Sequence, residues 1–292
     1  MDHQYIKTNG ITLHVVQAGP AAGPLVILLH GFPEFWHGWR QQIGALAEAG
    51  YRVWVPDQRG YNLSDKPAGI GKYSLDLLAG DVVGLIEAAG EETAVVVGHD
   101  WGANIAWWLA AQHPERLSQM VALNVPHWAV MARHLRQNQA QRRKSWYVFF
   151  FQLPWLPEAV LRRNNWELAA QALQGSSRPD TFSRDDLAQY RRAWSQPGAI
   201  TGMINWYRAI VQKRPSSPPN PRITVPTLLI WGAQDKFLDQ EMAQPSVDLC
   251  ENGRLALIPE ASHWVQHEEP AQVNRLLLDF LKNDVASNSL SA

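Results

Sequence analysis

The chain has 292 residues, 46% hydrophobic and 18% charged, which fits a soluble globular protein: one large domain, or a core carrying an insertion. A formal net charge of −1 leaves no electrostatic footprint for nucleic acid or an anionic membrane. Cys250 is the only cysteine, which excludes intrachain disulfides, and the polar start Met1-Asp2-His3-Gln4 with no long apolar run predicts a cytoplasmic protein without a membrane span.

Residues 4–18 alternate as two strands joined at Asn9-Gly10, a favoured hairpin turn. Pro24 to Leu29 is a continuous apolar run, a buried strand, and it leads into the loop His30-Gly31-Phe32-Pro33-Glu34. Trp36 to Ala49 reads as a helix closed by Gly50, and Tyr51 to Val55 as the next strand. The loop Asp57-Gln58-Arg59-Gly60-Tyr61 follows. Ser74 is placed as the N-cap of a helix running to about Ala89 and stopped by Gly90. Ala94 to Val97 is a strand, the helix after it ends near Pro114, and Leu117 to Leu123 is another strand. This alternation predicts an α/β fold, a mostly parallel sheet with helices on both faces.

From about Pro126 the rhythm changes to aromatic-rich helical patterns, closed by the Pro-rich stretch 214–221, read as a stiff linker. The α/β rhythm then resumes, with strands at Thr227–Trp231 and Arg254–Ile258, helices at Gln240–Leu249 and Glu269–Leu281, and a loose tail from Ser287. The expected organisation is a core of residues 1–126 and 223–292 with a helical cap inserted at 127–222. Such a cap belongs over the C-terminal edge of the sheet, where ligands bind in folds of this kind.

The chain is organised around Gly98-His99-Asp100-Trp101-Gly102. A strand that turns this abruptly into a helix needs small residues beside the turn, and the turn lifts its central side chain into the open. That side chain is a carboxylate, Asp100. Alone, it has two readings: a helix N-cap, or an exposed reactive group. Two further residues favour the second. Asp235 lies just beyond the strand ending at Trp231, and His263 just beyond the last strand, so all three fall on one edge of a parallel sheet.

Nucleophile, acid, histidine is the chain order of α/β-hydrolases, and the chain resembles the soluble α/β-hydrolase-fold epoxide hydrolases over nearly its whole length. The resemblance rests on His30-Gly31-Phe32-Pro33-Glu34, Gly98-His99-Asp100-Trp101-Gly102, Asp235 and His263. It also rests on two tyrosines of the insertion, Tyr147 in Trp146-Tyr147-Val148-Phe149-Phe150-Phe151-Gln152 and Tyr207 in Asn205-Trp206-Tyr207-Arg208. Asn62 departs from the family, which often has another Gly there. The resemblance implies an enzyme acting on an ether bond. Asp100 would be the nucleophile, His263 the general base and Asp235 the residue that orients it. Tyr147 and Tyr207 would donate to the epoxide oxygen, and the backbone N–H groups of Phe32 and Trp101 would form the oxyanion hole. No metal or organic cofactor is implied. The implied partners are a small apolar or aryl epoxide and water, with no nucleic acid and no membrane, and the chain would be a monomer or homodimer.

Plainer readings stand beside these. Fourteen tryptophans serve core packing or an aromatic-lined pocket. Tyr147 and Tyr207 lie among aromatic residues that could simply pack the cap. His37, His113, His127 and His267 read as surface or packing residues, and Cys250 as a small apolar filler. Asp57 reads as the centre of a loop held by local hydrogen bonds, and His30 and His99 as supports for loops. Arg133-His134-Leu135-Arg136 and Arg142-Arg143-Lys144 read as a solvated helix face. The nearest alternative function is a hydrolytic dehalogenase with the same triad. Haloalkane dehalogenases, however, commonly carry Asn where Phe32 stands, and fluoroacetate dehalogenases Arg where Trp101 stands. A non-catalytic receptor on this fold would have a broken catalytic set. A serine esterase is excluded because position 100 is not Ser.

Overall fold

Burial along the strands sets the architecture. Alternate residues of one strand enter opposite cores: Ile27 and Leu29 belong to one cluster, Val26 and Leu28 to the other. A strand buried on both faces lies between two helical layers. The computed structural model describes residues 1–213 and 220–288, with side chains through Lys282. The expected linker therefore lies largely outside the described residues, as do the last four residues of the tail.

The sheet has eight strands: β1 (Asp2–Thr8), β2 (Ile11–Ala18), β3 (Leu25–Leu29), β4 (Arg52–Pro56), β5 (Ala94–His99), β6 (Leu117–Leu123), β7 (Thr227–Gly232) and β8 (Gly253–Ile258). Their spatial order is β1-β2-β4-β3-β5-β6-β7-β8. The β1–β2 and β2–β4 pairs are antiparallel and all others parallel. The hairpin turns at Asn9 and Gly10, both with positive φ. Helices α1 (Arg40–Glu48), α2 (Leu75–Ala88) and α3 (Trp101–Gln112) follow β3, β4 and the β5 elbow. Ser74 occupies the N-cap of α2, but its hydroxyl makes no capping bond. The helix expected from Trp36 opens as a 3-10 turn, Trp36–Trp39, before α1 begins. Ile43 and Leu46 of α1 join Leu277 and Phe280 in one core, and Trp107 and Trp108 of α3 anchor the other. Truncating a residue such as Leu28 to Ala would cost about 3 kcal/mol through lost burial and a cavity.

Between β6 and β7 lie α4 (Trp128–Gln137), α5 (Gln139–Lys144), α6 (Trp146–Phe150), α7 (Leu156–Ser176), α8 (Arg184–Trp194) and α9 (Ala199–Gln212). After β7, a 3-10 turn and the short α10 (Ala243–Val247) replace the longer helix expected there, and α11 (Val265–Glu268) and α12 (Pro270–Asn288) follow β8. Two contacts seat α8 and α9 on the core. The Trp194 indole donates to the Pro33 carbonyl at 2.6 Å, and the Trp206 indole donates to that of Arg59 at 2.9 Å. Beside the second contact α9 meets the loop after β4 backbone to backbone. A Cβ placed on Gly202 would lie 2.6 Å from the Gly60 carbonyl oxygen, so no larger residue fits without moving one of them.

Candidate active site

Asp100 stands at the end of β5 with φ 50° and ψ −118°, a strained conformation for a residue with a side chain. Its neighbours make the turn possible. A Cβ on Gly98 would lie 2.3 Å from the backbone of Gly102, and one on Gly102 would lie 2.1 Å from the Leu29 carbonyl. Although Asp100 sits at the N-cap of α3, its carboxylate makes no capping bond. Instead Oδ1 accepts the Phe32 N–H at 2.8 Å, from the loop after β3. Of the two readings open for Asp100, the helix cap is the one the geometry removes.

Oδ2 faces His263, whose Nε2 lies 3.5 Å away. The other ring nitrogen, Nδ1, meets Oδ2 of Asp235 at 2.8 Å. Asp235 is itself fixed. Its Oδ1 accepts the N–H groups of Phe237 and Leu238, and its Oδ2 also accepts the Asn124 amide at 2.8 Å. Burial raises the Asp235 pKa, but the attraction and hydrogen bond of His263 outweigh it, so the carboxyl is held below its ordinary value. Burial likewise lowers His263, yet the charges of Asp235 and Asp100 dominate and hold it up at about 10.

Above Asp100 lies a cavity of about 240 Å³ whose wall is almost wholly apolar, with Phe32, Phe151, Trp166 and Trp264 among its linings. Tyr147 and Tyr207 line it too, with ring centroids 5.8 Å apart. Burial raises both phenol pKa values, and the charge of Asp100 adds to the effect. The tyrosines come from different helices, and two side chains tie those helices together. Gln152 donates to the carbonyls of Val148 (3.0 Å) and Tyr207 (2.9 Å). Arg208 donates to the carbonyls of Phe151 and Leu153 and pairs with the buried Glu158.

Five of the seven predicted site residues line the cavity, Asp235 stands behind His263, and the Trp101 ring meets that of Tyr207 at 5.0 Å, but the supporting residues are largely new. Asn124 holds φ 53° and bridges Asp235 and the Gly232 N–H. The only sequence signal for it is an Asn, tolerant of that conformation, directly after a strand. Glu34 is fully buried and gathers His99 (3.0 Å), Tyr190 (2.9 Å), Gln266 (3.2 Å) and His267 (2.6 Å). Burial raises the Glu34 pKa, but His267 and His99 outweigh it and keep it well below its ordinary value. His267, read as surface or packing, is therefore part of a buried polar network, and Arg40 donates to its Nδ1 at 2.9 Å.

His37 pairs with Asp186 at 2.9 Å, the half-buried His113 lies 3.6 Å from Glu115, and the buried His127 accepts the Ala129 N–H to cap α4. The expected solvated face is only partly solvated, because His134 and Lys144 both turn to Asp239. Asn62 takes φ 38° where a Gly is usual, and its amide donates to Asp57 at 2.7 Å, so the substitution supplies a bond as well as the backbone shape. Asp57 also accepts from Trp36 and meets His14. His30 ties its loop to the loop after β4, accepting the Gln58 N–H at 3.1 Å. Cys250 is half-buried, and burial pushes its thiol up to about 11. Among the described residues, no three His, Cys, Asp or Glu side chains group as metal ligands, and no helix is long and apolar enough to cross a membrane.

A carboxylate on a strand–helix elbow, with an acid and a histidine at the ends of later strands of the same sheet, defines an α/β hydrolase. Residues 24–270 match the family described as the alpha/beta hydrolase fold. The chain is 50% identical to the AB hydrolase superfamily protein YfhM of Bacillus subtilis, covering 96% of this chain and 98% of that protein. It is 38% identical to human epoxide hydrolase 4, covering 96% of this chain and 78% of that one. The crystal structure of a mutant of a Bacillus megaterium epoxide hydrolase, complexed with its product (R)-3-[1]naphthyloxy-propane-1,2-diol, superimposes with a TM-score of 0.84. The two are 32% identical, over 96% of this chain and 100% of the other. The chain belongs to the epoxide hydrolases of the α/β-hydrolase fold.

Proposed function

We propose that the protein opens apolar epoxides to vicinal diols through an ester formed on Asp100. The observation that carries this reading is the disposition of the two Asp100 oxygens. Oδ1 already rests on the Phe32 N–H, so it can stay there as the ester carbonyl and later as the tetrahedral oxyanion. Oδ2, which lies 3.5 Å from His263 Nε2 and takes no backbone donor among the described residues, is the oxygen left to attack a ring carbon from the cavity. As the C–O bond of the ring breaks, Tyr147 and Tyr207 donate to the leaving oxygen. Water then attacks the ester carbonyl and its proton goes to His263, which Asp235 orients and stabilises. Collapse of the adduct breaks the acyl–oxygen bond, the diol oxygen leaves with a proton from His263, and the Asp100 carboxylate is restored. The Trp101 N–H, next in chain to Asp100, supplies the second oxyanion donor. Losing one such donor costs about 3 kcal/mol of barrier. In this reading α4–α9 act as the cap, and no cofactor takes part.

The electrostatics favour this sequence. In the free enzyme the Asp100 charge raises the pKa values of both tyrosines and of His263. Esterification removes that charge. The phenols become better acids as the alkoxide develops, and His263 becomes easier to deprotonate as it is needed as a base. An apolar, aromatic-lined cavity of about 240 Å³ favours aryl or alkyl epoxides over charged ones. The aryl ether diol held by the Bacillus megaterium relative is consistent with that class. A hydrolytic dehalogenase needs N–H donors for a halide, whereas phenols here stand in that place.

The test is turnover of styrene oxide in ¹⁸O-water with enzyme in excess. The first diol should stay largely unlabelled, and label should enter the Asp100 carboxylate over repeated cycles. Label in the first diol would exclude the ester route, and halide release from haloalkanes without any diol would favour the dehalogenase.

A further inference from the structure

The net charge of −1 averages two unlike regions. From Trp128 to Gln171 the only acidic residues are Glu158 and Glu167. Both are engaged, Glu158 by Arg208 at 2.6 Å and Glu167 by Arg191 at 2.8 Å. Arg133, Arg136, Arg142, Arg143, Arg162 and Arg163 are exposed on the same stretch, and none forms an ion pair among the described residues. In the chain between these basic groups lies apolar surface. Trp146 is 63% exposed, Phe149 71% and Trp155 72%, with Leu153 and Leu156 beside them. A three-residue step sets Trp146 and Phe149 on one side of α6. Trp155 stands at φ 51°, a strained conformation for a bulky residue, at a tip whose base is fixed by the Arg208 bond to Leu153.

We infer that this face of α4–α7 docks on an anionic lipid bilayer. Aromatic rings settle at the level of the lipid headgroups, and arginines beside them meet lipid phosphates. The charge also argues against a second copy of this chain, since a two-fold pair would bring the arginine clusters face to face. The surface is continuous with the cavity, because Trp146 and Phe150 line the cavity and their rings lie 6.0 Å apart on α6. A lipophilic substrate dissolved in the bilayer would then reach Asp100 without crossing water. The docking rests on the surface alone, and only this delivery step rests on the proposed reaction.

Flotation of the full chain with vesicles separates the two, since it needs no turnover. The chain should float with phosphatidylcholine vesicles carrying about one-third phosphatidylglycerol at low salt, and release at high salt. It should not float with phosphatidylcholine alone. Arg142→Gln/Arg143→Gln should weaken partitioning roughly thirtyfold, at about one charge's worth of surface attraction each. Phe149→Ser/Trp155→Ser should weaken it at least roughly tenfold by removing buried apolar area. Both variants should keep wild-type melting and wild-type hydrolysis of a small water-soluble epoxide. No flotation with the anionic vesicles, equal flotation with neutral ones, or flotation that survives both variants would overturn the inference. So would a stable dimer in sedimentation that Phe149→Ser/Trp155→Ser dissociates.

Discussion

Nε2 of His99 lies 2.8 Å from the carbonyl oxygen of His263, so the residue just before the elbow holds the backbone of the proposed base. A carbonyl can only accept, so Nε2 carries a proton in this contact. Nδ1 of the same ring meets Glu34, whose other oxygen accepts from Tyr190 of α8. The position of His263 is thereby linked to the seating of the α8 helix.

His99→Ala should leave that carbonyl without its partner. A buried hydrogen bond contributes about 1–2 kcal/mol, and if all of it is expressed in the transition state the turnover number falls about tenfold. Because the cavity wall is untouched, KM should change little. Steady-state kinetics on styrene oxide measures the split. A loss confined to KM would mean that the bond does not position His263.

His263→Gln should form the ester and fail to clear it. Intact-protein mass spectrometry after mixing with an epoxide should show the chain heavier by one substrate, with the adduct on the peptide carrying Asp100. Asp235→Asn should show a milder form of the same accumulation, with turnover down by up to about 10⁴ as the ring loses its orienting charge. Full turnover in His263→Gln would remove that residue from the reaction.

The two phenols should show overlapping contributions. Tyr147→Phe or Tyr207→Phe leaves one donor, and each should lower kcat/KM by about tenfold, within the lower range of acid catalysis. Removing both leaves the alkoxide bare, and the combined loss should exceed the product of the single losses, toward about 10⁴. Strict additivity would indicate two independent packing effects instead.

Stability should fall on the alkaline side. The folded protein holds His263 at about 10 against an ordinary 6.5, so it favours the protonated form. That contribution is complete below about pH 6.5 and is lost as pH rises through about 10. Asp235 has the opposite sign: its lowered pKa stabilises the fold above about 3.8, and this is lost as pH falls through the folded value. Thermal midpoints by circular dichroism should decline between about pH 6.5 and about 10. His263→Gln should flatten that decline, and an equally steep decline in the variant would assign it to other groups.

The elbow, Asp235 and His263 could be read from the chain because each sits within a few residues of a strand end, where local pattern carries the information. The parallel core follows from the same alternation, but its spatial order, with β4 outside β3, does not. What the sequence hides are bonds between distant segments. Glu34 meets His267 across 233 residues and Asn124 meets Asp235 across 111, and no local period links such positions. His134 and Lys144 looked solvated because Asp239, their partner, lies beyond the next strand in sequence. Tyr147 and Tyr207 were legible only through resemblance, since Gln152 and Arg208, which bring their helices together, look like ordinary polar residues of a cap.

The bare contact between Gly60 and Gly202 gives the two tyrosines unequal footing. Tyr207 follows Gly202 by little more than one turn of α9, on a helix pressed against the core backbone and pinned by Trp206. Tyr147 sits on the five-residue α6, whose outer side is exposed aromatic surface. One donor is thus built into the rigid body of the molecule, while the other is carried on its rim. One jaw of the site is fastened to the core backbone, and the other hangs on a single short turn beside exposed rings.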